Sequence, residues 1–142
     1  MSRFSDLALS LDQTGRMTIL HPVTGQPLVS VATGEAAWID VLAAQSPAGR
    51  AHQRQMLVRA LERGGQARRA SYEDVMGDEA ARLSKLVRGW FLVSLDGRPM
   101  EVPFSEGAAL ELFTEESLWW LRDQVATFAA DLGNFPAARA TT

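Results

Sequence analysis

The chain contains no cysteine, only two histidines, and one lysine against thirteen arginines. Without cysteine it can form no disulfide and has no thiolate nucleophile or thiolate zinc ligand. It also lacks a run of about 18 apolar residues, the length that a membrane-spanning helix requires. Its amino-terminal segment lacks the apolar stretch of a signal peptide. These absences predict a soluble protein of a reducing compartment, without membrane contact.

Length and composition are those of one ordinary globular domain. Apolar residues make up 46% and charged residues 22% of the 142 residues, unlike the composition of disordered chains. A chain of this length can bury roughly two thirds of its unfolded surface without metals or crosslinks. We therefore expect a single domain over 1–142, with a β-rich part at 1–45, a helical part at 46–135 and a flexible tail at 136–142.

The formal net charge of -3 is distributed unevenly along the chain. Residues 50–88 hold nine basic and five acidic side chains, a balance of +4, whereas residues 89–142 hold three and eight, a balance of -5. Charge blocks of opposite sign influence association more than they influence the fold. One interpretation is that the basic middle docks on an acidic protein partner, including the acidic last third of another copy.

The first third is rich in β-forming and turn-forming residues. Runs at about 16–21, 28–32 and 37–42 are separated by HPVTGQP and ATGE, which favour turns. This pattern predicts a small antiparallel β-meander. A turn of helix within AAWIDVLA is the alternative for the third run, because its apolar residues do not alternate cleanly.

From Ser46 onward the spacing of apolar residues becomes helical. The segment SPAGRAHQRQMLVRALERGG begins with a capping serine and a proline, and ends at Gly64 and Gly65. Its expected apolar face consists of Met56, Leu57, Ala60 and Leu61. Its polar side is basic, with Arg50, Arg54, Arg59 and Arg63.

A second helix is predicted to start at Ser71, which can cap it, and to continue through Trp90. Its apolar stripe consists of Met76, Ala80, Leu83, Val87 and Trp90. A hairpin or tight connector is then expected around the Asp96-Gly97 turn. Ser105 and Thr114 are predicted caps for helices at about 106–113 and 115–132. The whole pattern predicts an α+β fold: a small amino-terminal antiparallel β-meander followed by a mainly helical part of about four helices.

The final helix carries two adjacent tryptophans, Trp119 and Trp120, in the segment ESLWWLRDQVATFAADLGNF. At about 100° per residue both lie on the back of the helix, away from a narrow apolar seam that should face the core. The seam consists of Leu118, Leu121, Val125, Phe128 and Leu132. The tryptophans then either lie beneath another element or form an exposed patch that binds a partner, since tryptophan is enriched at binding hot spots.

No catalytic constellation stands out in the sequence. His21 and His52 lie in different predicted elements, without a matched carboxylate pattern, and are expected to be a turn residue and a surface residue. Gly64-Gly65 follows a helix and lacks the lysine and serine of a phosphate-binding loop. We therefore predict a protein that is not an enzyme and uses no metal or cofactor. We favour a solvated or salt-bridged face for the arginine helix over a phosphate-binding one, because the whole protein is acidic.

Short motifs follow one another in a set order along nearly the whole chain. They lie at residues 21–25 (HPVTG), 38–55, 71–90, 96–99 (DGRP), 103–113 and 122–135. This layout resembles small phage proteins encoded among tail morphogenesis genes, which are described as tail assembly chaperones or tail accessory proteins. The chain departs from the layout at Gly107 and Pro136, near expected helix ends.

The resemblance implies a non-enzymatic role in virion morphogenesis, in the cytoplasm of a bacterium that is infected by or carries a phage. Such a protein would bind tape-measure or tail-tube proteins, prevent their aggregation and release them on polymerisation. Two alternatives are a structural virion component, such as a tail connector or completion protein, and a DNA-binding regulator that uses the arginine helix. Self-association is a further option. The candidate partner-binding residues are Trp119, Trp120, Arg50, Arg54, Arg59 and Arg63.

Overall fold

The computed structural model describes residues 5–62 and 72–135, which form a four-stranded sheet and four α-helices. In chain order the elements are β1 (Gly15–Thr18), β2 (Trp38–Val41), α1 (Pro47–Glu62), α2 (Tyr72–Leu86), β3 (Val87–Val93), β4 (Pro99–Met100), α3 (Glu106–Thr114) and α4 (Trp119–Ala130). Short 3-10 turns lie at Ser5–Leu7, Glu116–Leu118 and Leu132–Asn134. The predicted α+β class is confirmed. The predicted tail and the cap at Ser71 lie outside the described residues.

The sheet draws strands from both halves of the chain, in the order β1-β2-β3-β4, with every neighbouring pair antiparallel. The β-structure therefore extends beyond the β-rich part at 1–45, because β3 and β4 continue the sheet beside β2. The helices α1 and α2 form an insertion between β2 and β3. The two helices are thus the connection between β2 and β3, which pair although they are distant in sequence.

The predicted middle strand at 28–32 is wrong, since this segment makes only isolated bridges. Leu20 pairs with Pro27, and Val29 pairs with Ala36. Tight turns lie on both sides of the segment, at glycines with positive φ: Gly25 (71°) and Gly34 (76°). The chain reverses too soon on each side for a continuous ladder to form.

The core lies between one face of the sheet and the helices. Met17 pairs with Ile39, which pairs with Trp90, and all three side chains are buried. Because side chains alternate along a strand, their neighbours point to the other face. That face remains partly exposed at Arg16, Trp38 and Phe91. From the helices, fully buried side chains such as Leu83, Leu86, Phe113 and Val125 complete the core.

The second predicted helix ends earlier than expected. Helix α2 stops at Leu86, and the chain passes directly into β3, so that Val87 and Trp90 belong to a strand. Both side chains are buried, as the predicted stripe requires. In a regular strand two residues three apart would point to opposite faces, but the pairing of β3 with β2 shifts register opposite Asp40 and Val41, so both can point to the core. Pairing with β2 overrides the helical interpretation of this segment, which is itself rich in β-forming residues.

The caps after β4 are partly as predicted. The Ser105 Oγ accepts a hydrogen bond from the Ala108 N–H at 3.0 Å and caps α3. Thr114 is not a cap: it is the last residue of α3, and its hydroxyl donates to the Leu110 carbonyl at 2.6 Å. The predicted hairpin is confirmed, with Gly97 at a φ of 90° and its N–H donating to the Ser94 carbonyl at 3.0 Å.

The seam of the last helix is confirmed in its centre. Leu121 and Val125 are buried, and Leu118 and Phe128 pack against the core as half-buried residues. Leu132 does not belong to the seam, because α4 ends at Ala130 and the side chain of Leu132 is 39% exposed.

Two helical glycines provide a test of this packing. Gly77 lies in α2 with nothing within 4 Å of an added Cβ, whereas a Cβ at Gly49 in α1 would lie 2.1 Å from the Ala44 carbonyl oxygen. Gly77→Ala should raise the free energy of unfolding by about 0.5–1 kcal/mol, because alanine is the better helix former. Gly49→Ala should lower it, as measured by urea denaturation. A stabilising Gly49→Ala would contradict the close approach.

Candidate functional site

Helix α1 packs on the rest of the molecule through its first turns only. Its buried residues are Gly49 and His52, and Met56 is half-buried. Gly49 permits close contact with Leu86 of α2, whose Cδ2 lies 3.3 Å from the position of a Cβ. The expected apolar face is wrong for Leu57 and Leu61, which are 62% and 72% exposed.

The exposed leucines share a side of α1 with two of the predicted arginines. At about 100° per residue, Arg50, Arg54, Leu57 and Leu61 lie within a sector of about 60°. All four are exposed, and we call this row the α1 outer stripe. Val58, at 51% exposure, lies beside it. Since none of the ion pairs among the described residues involves Arg50 or Arg54, the stripe presents two unpaired cations and two leucines to solvent.

The other two predicted arginines are not part of this row. Arg59 lies on the far side of α1, where its charge contributes to lowering the pKa of His52. Arg63 lies outside the described residues. Among the described residues, the predicted basic side of the helix is therefore divided: Arg50 and Arg54 lie with the exposed leucines and Arg59 does not.

The two adjacent tryptophans face different surroundings. Trp119 is 58% exposed. Trp120 is half-buried and packs against the hydrophobic core, so the two alternatives left open for the pair apply one to each residue: Trp119 is exposed and Trp120 is covered. Residues of the β3–β4 hairpin line the same cleft as Trp120, an arrangement that angles within one helix do not indicate.

Trp120 lines an apolar cleft with a volume of about 330 Å³. We call it the Trp120 cleft; its walls include Leu28, Leu92, Met100, Leu118, Trp120 and Leu121. Ser117 also lines it, and the two preceding residues, Glu115 and Glu116, are exposed acids. This is a concave apolar site of the size that proteins use for small ligands or for the anchoring side chains of a partner.

A more polar, open cavity of about 620 Å³ lies between α1, α2 and α4. Its lining includes His52, Met56, Met76, Arg82 and Arg122. His52 is buried rather than at the surface as expected, and its Nδ1 has no hydrogen-bond partner among the residues that the structure describes. Burial lowers the pKa of His52, and the charges of Lys85, Arg59 and Arg82 lower it further against an opposing effect of Asp78.

Arg122 is a buried charged residue in the same region, and its hydrogen bonding gives it a structural role. Its Nη1 donates a hydrogen bond to the Phe113 carbonyl at 2.8 Å, near the carboxyl end of α3. A cation at that position satisfies a helix-end carbonyl and complements the helix dipole. Sequence reasoning did not assign this role, because it depends on the angle between α3 and α4.

His21 is a turn residue, as predicted. Its Nδ1 accepts hydrogen bonds from the backbone N–H groups of Val23 (3.0 Å) and Thr24 (3.3 Å).

Across the sheet, the outer face carries a contact that the sequence did not indicate: Arg16 pairs with Asp40 at 2.9 Å and stacks 3.6 Å from the ring centre of Trp38. Within residues 5–62 and 72–135, no group of three or more acidic or histidine side chains is placed to hold a metal ion.

The chain matches no protein-family model, no curated protein and no solved structure. In the described part of the chain, no helix combines the length and the apolar character needed to cross a membrane.

The lowered pKa of His52 predicts that stability depends on pH. Below about pH 6.5 the unfolded chain protonates this histidine, whereas the folded chain keeps it neutral to lower pH. The unfolded state then binds more protons, so the free energy of unfolding should fall as the pH decreases from about 7 to 5. His52→Gln should reduce that slope in urea denaturation, and parallel profiles for the two proteins would contradict the assignment.

The tryptophans should differ in their effect on stability. Trp119→Ala should change the free energy of unfolding by less than about 0.5 kcal/mol, because the ring is mostly exposed. Trp120→Ala should lower it by about 1–3 kcal/mol, since a half-buried ring is removed from the core. Equal effects of the two substitutions, measured by chemical denaturation, would show that their surroundings are not distinct.

Proposed function

We propose that the protein is a non-enzymatic, tail assembly chaperone-like protein, which binds tape-measure or tail-tube proteins during phage morphogenesis in the bacterial cytoplasm. The observation that carries the proposal is the α1 outer stripe, where Leu57 and Leu61 are more than half exposed beside Arg50 and Arg54. The resemblance of the ordered motifs to tail assembly chaperones supports the class of partner.

The α1 outer stripe has the form of a helical recognition surface. Its members are spaced at i, i+4, i+7 and i+11, and such spacing places side chains in one row that can enter a groove of a partner. Burying the leucines would be favourable at about 25 cal/mol per Å² of apolar surface. Arg50 and Arg54 in the same row would favour a groove with acidic edges and would accelerate association.

The histidines support a binding role over a catalytic one. His21 is used to hold its turn, and His52 is buried without a hydrogen bond from Nδ1 to a carboxylate that would orient it. A general base needs a position within hydrogen-bond reach of a substrate. We therefore assign the function to surfaces rather than to a reaction centre.

The proposal is tested by co-expressing the chain with the tape-measure or tail-tube protein from the same gene cluster. The wild type should increase the soluble fraction of that protein and co-purify with it. Leu57→Glu combined with Leu61→Glu should abolish both effects, because charged groups replace the apolar contact. Val23→Glu is the matched control, since Val23 is 86% exposed in a turn and should retain both effects. No recovery of either tail protein with the wild type would refute the proposal.

Two further measurements distinguish the alternatives. Mass spectrometry of purified virions should lack the protein if it is a chaperone and contain it at fixed copy number if it is a connector or completion protein. DNA binding is the second measurement, because Arg50 and Arg54 are exposed and could contact phosphates. Binding to DNA that weakens steeply with salt would identify a regulator, because phosphate contacts release counterions.

A further inference from the structure

Two surfaces of this chain combine apolar side chains with neighbouring charges of opposite sign. The α1 outer stripe is convex and places Arg50 and Arg54 beside Leu57 and Leu61. The Trp120 cleft is concave and apolar, with a volume of about 330 Å³. The carboxylates of Glu115 and Glu116 are exposed directly before Ser117, which lines the cleft.

The entrance of the Trp120 cleft offers accessible apolar surface as well as an interior. Leu95 is 54% exposed and Met100 is 46% exposed, and both line the cleft. Leu28, Leu92 and Leu121 form the buried part of the wall. Leucine side chains that entered the cleft would therefore meet apolar atoms at the rim and at the base.

The charges beside the two surfaces are opposite in sign. Along α1, a rise of about 1.5 Å per residue places Arg54 about 4.5 Å and Arg50 about 10 Å from Leu57. At the cleft, Glu116 is adjacent in sequence to Ser117, and Glu115 precedes it. Insertion of the leucines would place the two arginines on the same side of the docked copy as the α1 amino terminus, where Glu115 and Glu116, next to the lining residue Ser117, are the acids that we propose they meet. The formal charges of the two segments also differ in sign: residues 50–88, which contain the stripe, carry +4, and residues 89–142, which contain Glu115 and Glu116, carry -5.

The stripe of one copy does not reach the cleft of the same copy. The start of α1 is fixed against α2 by the close approach of Gly49 to Leu86. The segment before it is fixed to α4, because the Ala44 N–H donates to the Ala129 carbonyl at 2.9 Å. Since the outer stripe lies on the side of α1 away from its buried residues, its leucines point away from the domain that contains the cleft.

We propose that the α1 outer stripe of one copy docks into the Trp120 cleft of a second copy. We place the copies head to tail, so that the stripe and the cleft of each copy contact different neighbours; the contact is then heterologous, and each terminal copy retains one free stripe or one free cleft. Such a contact produces rings or open chains rather than a closed two-fold dimer.

Self-association of this kind deepens the proposed function, because it covers the same stripe that we assign to tail-protein binding. A second copy would protect the exposed leucines until a tail protein competes for them. The docking itself is measured on the purified chain without any tail protein. Failure of the self-association and failure of the proposed function are therefore distinguishable.

The experiment is sedimentation velocity of the full chain over a range of concentrations, at low and high salt. The wild type should form species larger than a dimer as the concentration rises. Raising the salt should weaken the association about three- to tenfold, the effect of screening two exposed ion pairs. A wild type that remains monomeric at millimolar concentration would overturn the proposal.

Paired variants test the heterologous geometry. The stripe variant is Leu57→Glu with Leu61→Glu, and the cleft variant is Leu95→Arg with Met100→Arg. Each alone should be monomeric, with association weakened by at least about 100-fold, because two leucine contacts are lost or their site is blocked. An equimolar mixture should form a 1:1 heterodimer that grows no further, because it contains one intact stripe and one intact cleft. The Val23→Glu control should assemble like the wild type.

The remaining outcomes each contradict the docking. Association of the cleft variant alone would indicate that stripes pair with each other, and a mixture without heterodimer would show that stripe and cleft do not meet. Circular dichroism confirms that each variant is folded. If the cleft variant unfolds, charge reversal replaces it: Arg50→Glu with Arg54→Glu, and Glu115→Arg with Glu116→Arg, should each weaken association. Their equimolar mixture should restore association at 1:1 stoichiometry with growth beyond the dimer, because both contacts between unlike copies again join opposite charges.

Discussion

The pairing of β2 with β3 is the constraint on which the rest of the structure depends. It joins two segments that are far apart in sequence and places Ile39 beside Trp90 in the core. All of α1 and α2 lies between these strands, so the two helices must leave the sheet and return within one insertion. The direct passage from Leu86 of α2 into β3 fixes one end of that insertion. The other end is fixed where the Leu42 N–H donates to the Leu86 carbonyl at 2.7 Å.

This constraint explains why α1 has an exposed apolar surface. The first turns of α1 are held by the close approach of Gly49 to Leu86, and Gly49 and His52 are the buried residues of this helix. Its second half continues beyond the core, and Leu57 and Leu61 remain exposed. The close approach at Gly49 decides which side of the helix is buried. The largest apolar side chains of the segment therefore do not determine its orientation.

The second surface arises from the other end of the same sheet. The hairpin of β3 and β4 passes beside the start of α4, and the space between them becomes the Trp120 cleft. Trp120 forms part of a wall, whereas Trp119, one residue earlier, remains exposed. Glu115 and Glu116 are exposed directly before Ser117, which lines the cleft, in the short connection between α3 and α4. A helix with exposed leucines and arginines and an apolar cleft thus lie on one chain as consequences of a single topology.

The sequence by itself determined the local features of this protein. The capping serine at Ser105, the turn at Asp96-Gly97 and the central seam of α4 depend on neighbouring residues, and each was predictable from spacing and turn chemistry. The tertiary structure decided which apolar faces are covered. The strand at Val87 and Trp90, the exposure of Leu57, the burial of His52 and the separation of Trp119 from Trp120 all depend on contacts between distant segments. Periodicity identifies a face that can be buried, but burial also requires a partner surface, and only the pairing of distant strands supplies it.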